Sequence, residues 1–168
     1  SKATVLITGG LGGLGIVTAE MLVDIGVSRI VLVSRSGEVR RDDQGLQQRL
    51  DKLRRRRVSL QSLPHEDNES VTLIVEKCDM GVESEVASLL HRVSRSVGPI
   101  AIVVHAAGIM ERCALSGQDD FNENWKNYDS AMRRVWALKA NGAWYLHQHL
   151  MSAAHPPLLV FYSSLSAL

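Results

Sequence analysis

Five of the eight residues from Thr8 to Gly15 are glycine, in the order Thr8-Gly9-Gly10-Leu11-Gly12-Gly13-Leu14-Gly15. A branched apolar run, Thr4 to Thr8, leads into them, and Val17, Met21, Leu22 and Ile25 follow at helical spacing. A strand that turns this sharply into a helix needs positive backbone angles, which glycine adopts without steric cost. The same glycines let a phosphate group approach backbone amides at the helix N-terminus, where unpaired N–H groups and the helix dipole favour an anion. A tight structural turn is the plainer alternative. The strand before, the helix after and a second strand at the right remove favour a nucleotide-binding turn.

The rest of the chain repeats that alternation. Short apolar runs at residues 4–8, 29–34, 71–78, 100–105 and 158–163 read as continuous hydrophobic strings without in–out alternation. Such strings suit strands covered on both faces, as in a parallel sheet. Between them Leu46, Leu50 and Leu53, and then Val82, Val86, Leu89, Leu90 and Val93, recur with a helical period and read as core-facing stripes. Strand–helix–strand repetition implies right-handed crossovers and an α/β fold, a Rossmann-like doubly wound parallel sheet with five strands covered. Residues 61–70 and 117–124 are polar and aperiodic and are expected to be surface loops inserted in one domain.

Composition narrows the partners. A chain of 168 residues, 45% hydrophobic and 22% charged, is ordinary for one globular domain. A net charge of +1 speaks against nucleic acid, which calls for a gathered basic excess. Cys78 and Cys113 stand apart from one another and from any histidine spacing, so neither a disulfide framework nor a metal site is expected. The N-terminal apolar run is too short for a signal peptide or membrane span, and a reducing, cytoplasmic setting is the default expectation.

The end of the second strand bears on which nucleotide is bound. An acidic residue there would hold both ribose hydroxyls, as NAD requires; this strand ends Val33-Ser34-Arg35-Ser36. The planar guanidinium of Arg35 suits a 2′-phosphate, and Ser34 and Ser36 offer further donors, so NADP is expected. A surface arginine at a strand end is the alternative. Arg54 to Arg57 form a basic run that reads as a solvated helix face, with a docking patch for an acidic carrier protein as the sharper alternative.

The glycine pattern, Leu32-Val33-Ser34-Arg35, Cys78-Asp79-Met80, His105-Ala106-Ala107-Gly108, residues 139–147 and Phe161-Tyr162-Ser163-Ser164 occur in one order along the chain. In that order they resemble short-chain dehydrogenases, and more narrowly the ketoreductase domains of multifunctional polyketide and fatty acid synthases. The resemblance implies NADPH-dependent reduction of a β-ketoacyl thioester carried on an acyl carrier protein, within a larger synthase whose other domains are partners. It assigns Lys139 to the ribose and to lowering the pKa of a catalytic tyrosine, and Ser164 to the substrate's carbonyl oxygen. Cys78, Asp79, Met80, His105, Ala106, Ala107 and Gly108 would line the nucleotide site. Asp79 could reach the adenine amino group or cap the next helix, and His105 reads as more structural than catalytic.

In this family a tyrosine stands about a dozen residues beyond the serine, followed by an asparagine. The sequence stops before either, so it is expected to be the NADP-binding portion of an incomplete domain with its last strands missing. Tyr128, Tyr145 and Tyr162 do not match the tyrosine's position. The edge of the fifth strand is then expected to pair with another chain or with the missing segment. Ile109-Met110-Glu111-Arg112 replaces the aspartates that some ketoreductases carry, leaving product stereochemistry open. A non-catalytic NADP-binding module, and a short-chain dehydrogenase acting on another carbonyl, are the rival readings.

Overall fold

A computed structural model describes residues 3–40, 44–58, 69–109 and 121–163. In chain order the elements are strand β1 (Thr4–Thr8), helix α1 (Gly13–Asp24), β2 (Arg29–Ser34), α2 (Leu46–Arg54), β3 (Arg57–Val58), β4 (Glu69–Ser70), β5 (Thr72–Lys77), α3 (Glu83–Ser96) and β6 (Ile100–His105). Helix α4 (Phe121–Trp136), a π-helical turn (Ala137–Asn141), α5 (Gly142–Leu150) and β7 (Leu158–Phe161) complete them. All five expected strands form one sheet, in the order β5-β2-β1-β6-β7, and every pairing is parallel.

The continuous apolar strings are explained by cover on both faces. Val5 and Ile7 of β1, with Ile30 and Leu32 of β2, face a core built with Ile16, Ala19 and Val23 of α1 and Leu46, Leu50 and Leu53 of α2. Leu6, Val31 and Val33 point the other way, against Val86, Leu89, Leu90 and Val93 of α3 and Leu146 of α5. Each fully buried side chain of this kind contributes about 1.5–3 kcal/mol. Because β1 is flanked by β2 on one side and β6 on the other, the chain reverses direction of build at its C-terminal end. That reversal opens a crevice beyond the strand ends.

Val17 and Met21 lie on the outward face of α1, and Ile25, just past its end, is 78% exposed; the buried face is Gly15, Ile16, Thr18, Ala19 and Val23, three of them too small or polar to mark a stripe. Three expectations need correction. Within residues 61–70, Glu69 and Ser70 are not loop but pair antiparallel with Val58 and Arg57. Within 117–124, Phe121 to Asn124 are not loop but helical, and the helix leading to Lys139 begins at Phe121. The last strand ends at Phe161, leaving Tyr162 and Ser163 beyond it. The remaining residues of the two expected loops lie outside the described residues.

The arginine run is largely engaged locally. Arg54 pairs with Asp51 at 3.3 Å and Arg56 with Asp24 of α1 at 2.7 Å, while Arg49 and Glu20 tie α2 to α1. β7 is an outer strand among the described residues, with Leu158 62% and Phe161 48% exposed. No helix among the described residues is long and apolar enough to cross a membrane, and they hold no cluster of potential metal ligands.

Candidate active site

The crevice at the strand ends has a volume of about 620 Å³, within the range of small-molecule sites. Its floor is the glycine loop. Gly9 takes φ +67°, and a Cβ there would stand 2.6 Å from the carbonyl oxygen of Ala106, so this residue is confined to glycine by both angle and space. Gly10 N–H donates to the Val33 carbonyl at 3.0 Å and Gly12 N–H to that of Gly9 at 3.0 Å, which aims the start of α1 into the crevice. Gly12 precedes α1 with no side-chain cap, and no acidic residue stands in the first turn. Uncapped amides at the end of a helix dipole make a seat for an anion.

Beyond β2 the chain turns at Gly37, φ +73°, across the stem of Lys77. The Ser34 hydroxyl accepts the Gly37 N–H at 2.9 Å and the Ser36 hydroxyl donates to the Glu38 carbonyl at 2.9 Å, so both serines build this turn. Arg35 is exposed on it, makes no ion pair among the described residues, and lines the crevice. Four lining residues had no motif to announce them: Glu38, Arg40, Gln44 and Leu138. A second arginine close behind Arg35 was the available signal.

Opposite, Cys78, Met80, Ala106, Ala107, Gly108 and Ile109 form the wall. The Cys78 thiol is buried and pushed up to about 12, by desolvation first and then by the Glu85 and Asp79 charges, so it is inert there. Asp79 does not cap α3: its Oδ1 accepts the Gly81 N–H at 2.9 Å, and its own N–H donates to Glu85 at 2.7 Å. That turn brings Met80 to the wall and leaves Asp79 off it.

Lys139 is not among the residues lining the crevice; it lies on an exposed position of the π-helical turn, with its Cε only 2.9 Å from where a Cβ on the lining residue Gly108 would be. The lysine side chain therefore passes close over the glycine of His105-Ala106-Ala107-Gly108. Thr8 and His105 stand behind the wall, not on it. The Thr8 hydroxyl and His105 Nδ1 are 2.7 Å apart, and the Ala107 N–H donates to the same hydroxyl at 3.3 Å. Tyr162 is also committed: Thr18 donates its hydroxyl proton to the Leu14 carbonyl at 2.7 Å, so the phenol must donate to Thr18, likewise 2.7 Å away. Ser164 lies outside the described residues, as do Met110, Glu111, Arg112 and Cys113.

Comparison with known proteins supplies the family. The chain is 32% identical over 166 residues to the polyketide synthase GfsA of Streptomyces halstedii, covering 99% of this chain and 2% of that one. It is 33% identical over 168 residues to a mycocerosic acid synthase-like polyketide synthase of Mycobacterium tuberculosis, covering 99% and 6%. The chain therefore spans a small fraction of the length of these relatives. Among solved structures it superposes on the ketoreductase PlmKR1, from the first module of phoslactomycin biosynthesis in Streptomyces sp. HK803. The TM-score is 0.64, with 27% identity and 98% of this chain and 32% of that chain covered. A short-chain type dehydrogenase/reductase from Mycobacterium ulcerans gives the same TM-score of 0.64 and 27% identity, with 99% and 53% covered. The KR domain model matches residues 3–168, nearly the whole sequence, and the chain belongs to the KR domain family.

Proposed function

We propose that this chain supplies the nucleotide-binding portion of a ketoreductase that uses NADPH to reduce a β-ketoacyl thioester, held on an acyl carrier protein, during polyketide or fatty acid synthesis. The observation that carries this reading is the crevice itself. One wall offers an uncapped helix terminus beside an exposed arginine, and the other holds Gly108, beside which the Lys139 side chain passes.

The residues fit a dinucleotide. Gly12 and the first amides of α1 would seat the pyrophosphate, and a Cβ at Gly12 would meet only the Gly9 carbonyl oxygen, at 3.3 Å, so the space above is open. Arg35, with Arg40 close by on the same rim, would hold a 2′-phosphate through its planar fork. Ala106, Ala107 and Gly108 leave the ribose and nicotinamide room against backbone. When bound, the reduced nucleotide supplies hydride to the ketone carbon.

Lys139 would orient the ribose and, as a cation near the tyrosine expected by the resemblance, favour that phenol's ionised form and so ease its proton transfer. Ser164 would donate a hydrogen bond to the carbonyl oxygen as negative charge develops on it. Carrier protein and neighbouring synthase domains are the partners this reading implies.

The test is turnover in the full-length polypeptide. Added β-ketoacyl thioester should cause NADPH consumption with formation of the β-hydroxyacyl thioester by mass spectrometry, and Lys139→Ala should lower kcat about a hundredfold. Reduction of free ketones or sugar nucleotides with no activity on the thioester would contradict it.

A further inference from the structure

His105 is 5% exposed, and its ring nitrogens reach Thr8 and Leu138, 97 and 33 residues away in sequence. Its Nε2 lies 3.1 Å from the carbonyl oxygen of Leu138. A carbonyl only accepts, so Nε2 carries the proton and Nδ1 presents a lone pair, to which the Thr8 hydroxyl donates at 2.7 Å. The remaining lone pair of Thr8 receives the Ala107 N–H. The whole relay is satisfied by a single neutral tautomer. Burial, which pushes the imidazole pKa below its ordinary value, acts in the same direction.

Leu138 is the residue before Lys139, and both lie in the π-helical turn. Such turns insert a residue into the helical ladder and are often found at functional sites; their geometry needs support from outside the helix. Here the support is built in. Gly142, the first residue of α5, has no side chain, and a Cβ there would stand 3.1 Å from His105 Cε1 and 3.1 Å from the Met80 carbonyl oxygen. The helix is therefore brought as close to the imidazole as backbone allows. Phe161 of β7 packs edge-on against the ring, with centroids 6.0 Å apart, and closes its other side. A lysine at the end of a flexible stem can be presented reproducibly only if its backbone is fixed.

We infer that His105 is a positioning residue: locked as one tautomer by Thr8, it pins the Leu138 carbonyl and so sets the π-helical turn that presents Lys139 across Gly108. This rests on the proposed role of Lys139. Thr8 and His105 thereby act on the chemistry from behind the crevice wall and not by touching the nucleotide.

Two near-isosteres separate the contacts. Gln at 105 keeps an N–H near the Nε2 position, whereas Asn keeps a polar group near Nδ1 and loses the reach to Leu138. In the full-length enzyme, with kcat counted per bound NADPH, His105→Asn should lower kcat about tenfold and His105→Gln only about twofold. Thr8→Val, which removes the tautomer lock, should lower it about threefold, with Thr8→Ser restoring it. In a Lys139→Ala background, His105→Asn should cost less than about twofold more, because the group it acts through is gone.

An undiminished tenfold loss in that background, or no loss from His105→Asn, would overturn the inference. If His105→Asn does not fold, Thr8→Val measured in both backgrounds decides by the same rule. Full kcat in Lys139→Ala alone would instead overturn the reading of Lys139 on which the inference stands.

Discussion

The two ends of the crevice are built from different materials. At the phosphate end the work is done by backbone: Gly9 and Gly12 shape a turn whose donors and acceptors are peptide groups, and α1 begins uncapped. At the lysine end it is done by side chains reaching between distant segments, Thr8 to His105 and His105 to Leu138. A backbone site tolerates little at the positions that bend it and is indifferent to side chains elsewhere. A side-chain relay fails by degrees, as each link is removed.

The largest effect that would break this contrast is expected at Gly9. Gly9→Val forces a branched side chain into positive φ and against the Ala106 carbonyl, and should destabilise the fold by about 3 kcal/mol, read as a fall in the denaturation midpoint. Gly12→Ala sharpens it. Gly12 has φ −86°, ψ 170°, which alanine adopts freely, so stability should stay within about 0.5 kcal/mol while NADPH affinity falls about tenfold. Equal losses of stability in the two variants would mean that the loop is a structural turn and no seat for phosphate.

At the other end pH is the probe. The His105 pKa is lowered from 6.5 by burial, opposed by hydrogen bonds to the backbone of Lys139 and Leu138. The unfolded chain then binds the proton more readily, so this contribution to stability is complete above pH 6.5 and is lost as pH falls from 6.5 towards the folded-state value. Chemical denaturation at a series of pH values should show the parent losing more stability on acidification than His105→Gln. Parallel curves would remove the buried neutral imidazole from the account. The smallest effect concerns Cys78: with its thiol pushed up to about 12 and only 3% exposed, it should resist alkylation at pH 8 in the folded protein, as site-resolved mass spectrometry would show.

This difference in materials also explains what could be read from the residues alone. Backbone chemistry leaves a local signature, so the glycine loop, the five strands and Arg35 at the strand end were legible as short patterns. The inward face of α1 was not, because Gly15, Thr18 and Ala19 pack tightly where small residues are required and give no hydrophobic stripe. Nor was the early start of α4, since Asn122, Glu123 and Asn124 are polar residues with no apolar period to announce a helix. The relay was hidden for another reason. Thr8, His105 and Leu138 meet only because β1 and β6 are neighbours in the sheet and α5 folds back over β6. Thr8 heads the glycine loop in sequence, and its hydroxyl reaches His105 across the sheet.

The most direct test of the central claim is a titration of the purified protein with NADPH and with NADH. Parent protein should prefer NADPH by about tenfold or more, and Arg35→Asp should abolish that preference while leaving NADH affinity within about threefold. NADPH binding unchanged by Arg35→Asp would contradict the assignment of this crevice to a 2′-phosphorylated nucleotide.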